Sequence, residues 1–214
     1  MCTVLLRCTP GAPVPVILGA VRDEFVDRAW DAPAAHWGGR LLGGRDRTAG
    51  GTWLAVDPDR PAVAAVLNGV RRPVDARPSR GRLPLAALRG QPVPEDIEGY
   101  DGFHLVRATV SEIRVWSWDG TTLDERCLGP GDHVIVNRGV DPADHPYSGG
   151  LPAGADWVAL LATDPVLIDG TVAGKRYGST STSLVRLSET GVRYAFNPRP
   201  RDPAGWYDVP VPPR

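Results

Sequence analysis

Lysine is almost missing from this 214-residue chain, which holds one, Lys175, and methionine occurs only at the first position. An excess of either charge is missing too: 24 Lys and Arg stand against 25 Asp and Glu, both spread along the chain, for a net charge of −1. With no basic stripe and no polybasic run, the composition argues against nucleic acid and an anionic membrane surface as partners. Cysteine is scarce, at Cys2, Cys8 and Cys127, an odd count without metal-like CxxC spacing. That argues against a disulfide framework or a zinc site and suits a reducing cytoplasm. No apolar run approaches the roughly 20 residues a membrane helix needs, and no charged segment leading into a short apolar one marks a secretory leader. A soluble, cytoplasmic protein without membrane insertion is the expectation.

Turn formers are abundant instead. Gly and Pro number 25 and 22, about a fifth of the chain against a usual background of ~12%. Many short strands joined by turns follow, and 42% hydrophobic content at this length allows one core and one domain over residues 1–214. Residues 3–8 and 14–20 are apolar runs around Pro10-Gly11-Ala12-Pro13, the pattern of a buried hairpin whose first strand is central. The charged stretch Val21-Arg22-Asp23-Glu24-Phe25 reads as a solvated strand end. Residues 31–51 read as loop; Gly50-Gly51 lacks a GxGxxG or GKS/T frame and reads as turn glycines leading to paired strands near 53–56 and 61–67. Ser79 precedes a short amphipathic helix over 83–88 that stops at Gly90.

Residues 103–110, 112–118 and 121–128 form a meander, its last two strands joined at Asp119-Gly120. A further strand, 133–136, ends on Asn137. Residues 156–162 suit one or two helical turns, 181–187 and 192–196 a final hairpin, and 198–214 a Pro-rich strap over the surface. Trp30, Trp37 and Trp206 fall in loop-like text, either as an exposed aromatic patch or as packing. About ten strands and two or three short helices result.

The residue with the most chemistry is Cys2. When a small residue follows the initiator methionine, Met1 is trimmed, leaving a thiol and a free α-amine on one residue. Their ordinary pKa values are about 8.5 and about 8, so near neutral pH the amine can take the thiol proton directly or through a water. Nucleophile and base then share one residue. The alternative is a small hydrophobe at the head of a buried strand.

Several short motifs occur in a fixed order: Met1-Cys2, Arg22-Asp23-Glu24-Phe25, Gly44-Arg45-Asp46, Gly50-Gly51-Thr52-Trp53-Leu54, Ser79-Arg80-Gly81, Gly102-Phe103-His104-Leu105, the strand ending at Asn137, and Tyr177-Gly178. In that order the chain resembles, over nearly its whole length, the NRDE family, also named for transport and Golgi organisation protein 2. The resemblance implies an α+β, N-terminal-nucleophile hydrolase-like αββα sandwich: two antiparallel sheets face to face with reduced helical layers. Cys2 would head a central strand in a cleft between the sheets. Relatives of that fold, the choloylglycine hydrolases and penicillin V acylases, use an N-terminal Cys with an Arg, an Asp and asparagine side chains.

Carried over by residue, the resemblance makes Cys2 nucleophile and base, sets Arg22 near its sulfur to favour the thiolate, and gives Asp23 the α-amine to orient. Asn68 and Asn137 would donate to an oxyanion; without the resemblance each reads as a strand-end turn residue. The chain departs from the family at Val21, where the namesake Asn is expected, and at Tyr177-Gly178-Ser179-Thr180, where a Tyr-Gly-Thr-Arg motif loses its arginine. The segment between Asn137 and Tyr177 is also short, at about forty residues. The implied activity is hydrolysis of a small amide or acyl bond, with a small-molecule substrate and no required cofactor. The alternatives are haem or lipid/acyl-CoA carriage in the same cleft, or a degenerate relative kept for its partner contacts. His36, His104, His133 and His145 show no paired ligand spacing.

Overall fold

The computed structural model describes residues 2–70, 77–164 and 166–211. Met1, expected to be trimmed, and the last three positions of the Pro-rich tail lie outside the described residues. The elements in chain order are β1 (Thr3–Cys8), β2 (Val16–Phe25), β3 (Trp30–Ala34), β4 (Leu42–Asp46), β5 (Leu54–Asp57), β6 (Ala62–Asn68) and helix α1 (Leu83–Leu88). They continue through β7 (Phe103–Thr109), β8 (Ile113–Trp118), β9 (Leu123–Leu128), β10 (Gly131–Val136), β11 (Gly139–Val140) and the single turn α2 (Trp157–Leu160). The chain closes with β12 (Asp169–Val172), β13 (Lys175–Ser188), β14 (Gly191–Asn197) and β15 (Tyr207–Asp208).

The strands form two sheets in which every pairing is antiparallel. One runs β11-β10-β1-β2-β13-β14-β15, with β12 on the far half of β13; the other is the sequential meander β3 to β9. The alternation of side chains along each strand sorts the apolar residues into three cores. Val4, Leu6 and Leu18 from the first sheet meet Leu54, Val63 and Val106 from the second in the space between them. On the outer face of the second sheet, Leu105 and Trp116 pack against Leu83 and Leu88 of α1. On the outer face of the first, Leu5 and Val134 pack against Trp157 and Leu161. β1 is therefore buried on both faces over Thr3–Leu6, which explains the apolar run Val4-Leu5-Leu6, and each such Leu contributes roughly 1.5–3 kcal/mol.

The meander matches the sequence reading, but β8 and β9 are joined by four residues, 119–122, rather than by Asp119-Gly120 alone: Asp119 Oδ1 accepts the Thr121 and Thr122 amides, both at 2.7 Å, and Gly120 takes φ of 100°. Ser79 caps a 3-10 turn, Arg80–Arg82, that runs directly into α1. Asp156 caps α2 through the Val158 and Ala159 amides. Elsewhere the expectations fail. β2 does not end at residue 20 but carries Arg22 and Asp23 onward, buried, because β13 pairs with it as far as Phe25 and both charges find partners. Residues 31–51, expected as loop, contain most of β3 and all of β4; Gly43 and Gly44 lie within β4 because a Cβ there would strike the Leu54 carbonyl and the Trp53 ring. The final hairpin forms as read, Thr182–Ser188 against Gly191–Asn197, but its first strand starts earlier, at Lys175, where it pairs with β2 and β12; the tail adds β15 to the sheet edge and buries Val209 in the central core. The three tryptophans are packed: Trp30 stands edge-on to Trp53 at 5.9 Å, Trp37 donates to the Gly50 carbonyl at 2.8 Å, and Trp206 lies against the outer core of the first sheet.

Gly50-Gly51 is a turn, as read. Gly50 holds φ of 72°, and a Cβ on Gly51 would fall inside the Gly81 main chain, which accepts the Thr52 amide at 2.8 Å. Gly51→Ala should therefore cost about 1–3 kcal/mol by overpacking, read as a lower urea midpoint at unchanged slope. An unchanged midpoint would mean the two segments can separate freely.

Candidate active site around Cys2

Antiparallel register decides what surrounds Cys2. Thr3 pairs with Val21 on β2 and Val136 on β10, so one residue earlier the same registers put Cys2 between Arg22 and Asn137. Val4, Ala20 and Ile135 face the space between the sheets, and alternation turns Cys2, Arg22 and Asn137 to that same side. The Cys2 main-chain N–H donates to Asn137 Oδ1 at 2.8 Å, and its thiol faces the Asp23 carbonyl at 3.7 Å. Cys2 is half-buried at the wall of a cleft of about 330 Å³ that Arg22, Asp23 and Asn68 also line. Four of the five sequence-selected residues thus share one cleft. The fifth, Asn137, is hydrogen-bonded to Cys2 and opens on a neighbouring cleft of about 580 Å³.

Arg22 is held from four sides, its side chain 4% exposed. Its guanidinium reaches Asp46 at 3.3 Å and Glu24 at 3.9 Å, donates to Thr180 Oγ1 at 3.0 Å and lies 4.6 Å from the Trp53 ring centre. Arg28 shares Asp46 at 2.6 Å. Burial opposes ionisation of Asp46, but hydrogen bonds from Arg28 and the Ala49 amide and the charges of Arg28 and Arg22 outweigh it, holding the carboxyl below its ordinary range. Burial also pushes the Arg22 guanidinium down, with Glu24 and Asp46 opposing. Asp23 moves the other way: burial pushes its carboxyl up, and a hydrogen bond from Ser179 at 2.6 Å resists.

The Cys2 thiol is pushed up, first by burial and then by the Asp23 charge, while Arg22 pulls it down. The pull of Arg22 is the weaker influence, so burial prevails and the net direction is toward the thiol. Sequence reasoning assigns no role to Asp46, which sits in the Gly-rich stretch read as loop, or to the hydroxyls of Ser179 and Thr180, which stand in a motif that departs from the family by lacking its arginine. Tyr177 belongs with them, its phenol donating to the Asp23 carbonyl at 3.0 Å.

Haem, which the resemblance brings in, fits the donor set poorly. No imidazole is among the described residues lining the Cys2 cleft, whose walls carry Arg22, Arg28, Arg80, Glu24 and Asp46. His104, in the neighbouring cleft, is bonded to Ser117 at 2.8 Å, and both nitrogens of His133 are engaged, by Asp141 and the Gly129 carbonyl. Among the described residues no helix is long and apolar enough to cross a membrane.

In comparisons with known proteins, no curated protein matches the chain. A family model described as Transport and Golgi organisation 2 matches residues 1–148, a span that includes Cys2, Arg22, Asp23, Asn68 and Asn137 and stops short of Tyr177.

Proposed function

The chain belongs to the Transport and Golgi organisation 2 family, and from that membership and the surroundings of Cys2 we propose that it is an N-terminal cysteine hydrolase acting on a small amide or acyl bond. The observation that carries this is the placement of Cys2, with Asn137 on its nitrogen, Arg22 in register beside it and an open polar cleft before it. The layering of two sheets between α1 and α2 supports an N-terminal-nucleophile hydrolase-like αββα sandwich in which the helical layers are reduced to short turns.

Removal of Met1 turns the Cys2 amide nitrogen into an α-amine. Asn137 Oδ1 then accepts one of its hydrogens and holds the nitrogen lone pair in a fixed direction. Burial favours the protonated thiol, and in the molecules whose amine is neutral the proton crosses to that amine as sulfur attacks. The C–S bond forms, the carbonyl π electrons move to oxygen, and an amide N–H of Asn68 or Asn137 meets that oxyanion. Collapse expels the leaving group, which takes the proton from the ammonium, and a water then hydrolyses the thioester by the same steps. Arg22 supplies a fixed positive charge beside the sulfur.

Asn137→Ala removes the acceptor that holds the amine. We expect the burst of nitrophenolate from 4-nitrophenyl acetate to slow by about 10²–10³-fold, with the fold intact by circular dichroism. A burst at the wild-type rate would remove Asn137 from the site. Carriage of haem has its own readout: a shifted Soret band on adding haemin that vanishes in Cys2→Ala would favour that reading over hydrolysis.

A further inference from the structure

β13 carries a register shift between Ser179 and Ser181 where it pairs with β2, opposite Arg22 and Asp23. Bulges of this kind re-aim side chains and are frequent beside active sites. Here the irregular segment turns three hydroxyls onto two residues. Tyr177 donates to the Asp23 carbonyl at 3.0 Å and Ser179 to Asp23 Oδ1 at 2.6 Å. Thr180 Oγ1 accepts from Arg22 Nη1 at 3.0 Å and lies 3.2 Å from the Arg22 carbonyl, to which it donates. Ser179 Oγ also accepts the Ile168 amide at 2.9 Å, which leaves its one proton for Asp23.

We propose that the bulged segment Tyr177–Gly178–Ser179–Thr180 positions the Cys2 centre, Ser179 by holding the Asp23 carboxylate and Thr180 by aiming the Arg22 guanidinium. This rests on the hydrolase reading above and adds residues outside the span of the family match. Ser179 has a chemical task as well as a geometric one. Burial drives Asp23 toward its neutral form, and a donor on Oδ1 stabilises the anion. An ionised Asp23 beside Cys2 stabilises the α-ammonium formed when the thiol proton crosses. The groups that face Asp23 are the Cys2 thiol, next to β1, and the Tyr177 phenol and Ser179 hydroxyl from β13. Thr180, at the crest of the bulge, keeps Arg22 from turning wholly to Asp46.

The test is the titration of the Asp23 side-chain carboxyl, followed by ¹³C NMR in the processed full-length protein. In Ser179→Ala its midpoint should rise by on the order of one pH unit, and in Ser179→Thr it should return to the wild-type value. Should the alanine variant not fold, Ser179→Cys, with a far weaker donor, reads the same rise. An Asp23 midpoint equal to wild type in the folded alanine or cysteine variant overturns the proposal. Because the titration needs no turnover, it separates this inference from the hydrolase reading, which fails on Cys2 reactivity instead.

Discussion

Cys2→Ala should leave the release of nitrophenolate from 4-nitrophenyl acetate at the solvent background, a loss on the order of 10⁴-fold or more for removal of a nucleophile. The size of the loss follows from the absence of a substitute. Cys8 lies at the other end of β1, and Cys127 is exposed on β9 in the opposite sheet. Neither lines the cleft. The loss must come without unfolding: Cys2 is half-buried at a strand end, and its replacement by Ala removes one sulfur from the rim of the central core. A variant with the wild-type melting temperature and no burst is the expected pair of results. A retained burst would place the chemistry elsewhere, or nowhere.

Arg22→Met should be the most destabilising change at the site. Removing one partner from a buried ion pair costs about 3–5 kcal/mol, because the remaining charge stays buried. Arg22 lies between Asp46 and Glu24, but Arg28 also reaches Asp46 and is itself about a third exposed, so a loss near ~3 kcal/mol is expected. Lysine should restore little, since it lacks the planar fork that reaches Asp46 and Thr180 and lies over Trp53.

The pH dependence has a definite sign. Asp46 is held below its ordinary value in the folded chain, so its contribution is present above the unfolded pKa of about 3.9 and lost as pH falls through the folded value. Without Arg22 that folded value rises, the contribution shrinks and acid unfolding begins at higher pH. Loss of the cation also pushes the Cys2 thiol further up, so alkylation by iodoacetamide near neutral pH should slow. Stability and alkylation both unchanged would mean that Arg22 is screened at the surface.

How much of this the sequence discloses depends on the kind of signal. β1 is legible because Val4 and Leu6 face one core and Leu5 the other, giving three consecutive apolar positions. The meander was legible because Asp119-Gly120 admits few conformations. Cys2, Arg22, Asp23, Asn68 and Asn137 were picked out by motif order, and the register of β1, β2 and β10 explains in retrospect why Cys2, Arg22 and Asn137 meet.

What stayed hidden depends on pairing over long separations. Nothing local marks Arg22 and Asp23 as buried; their partners lie on β4 and β13, as far as residue 180. β3 is an edge strand buried only at Pro33, and β4 carries Gly43 and Gly44 because the Leu54 carbonyl and the Trp53 ring leave no room for a Cβ, so the text resembles loop. The Ser179 and Thr180 hydroxyls are ordinary in sequence and gain a role only where the ladder of β13 slips against β2.

The most direct measurement is top-down mass spectrometry of the purified protein after brief exposure to iodoacetamide at neutral pH. The account predicts a chain that begins at Cys2 and carries one carbamidomethyl group on the Cys2 sulfur, alongside whatever label the exposed Cys127 takes. A chain that retains Met1, or one fully labelled at Cys127 with Cys2 untouched, would contradict it.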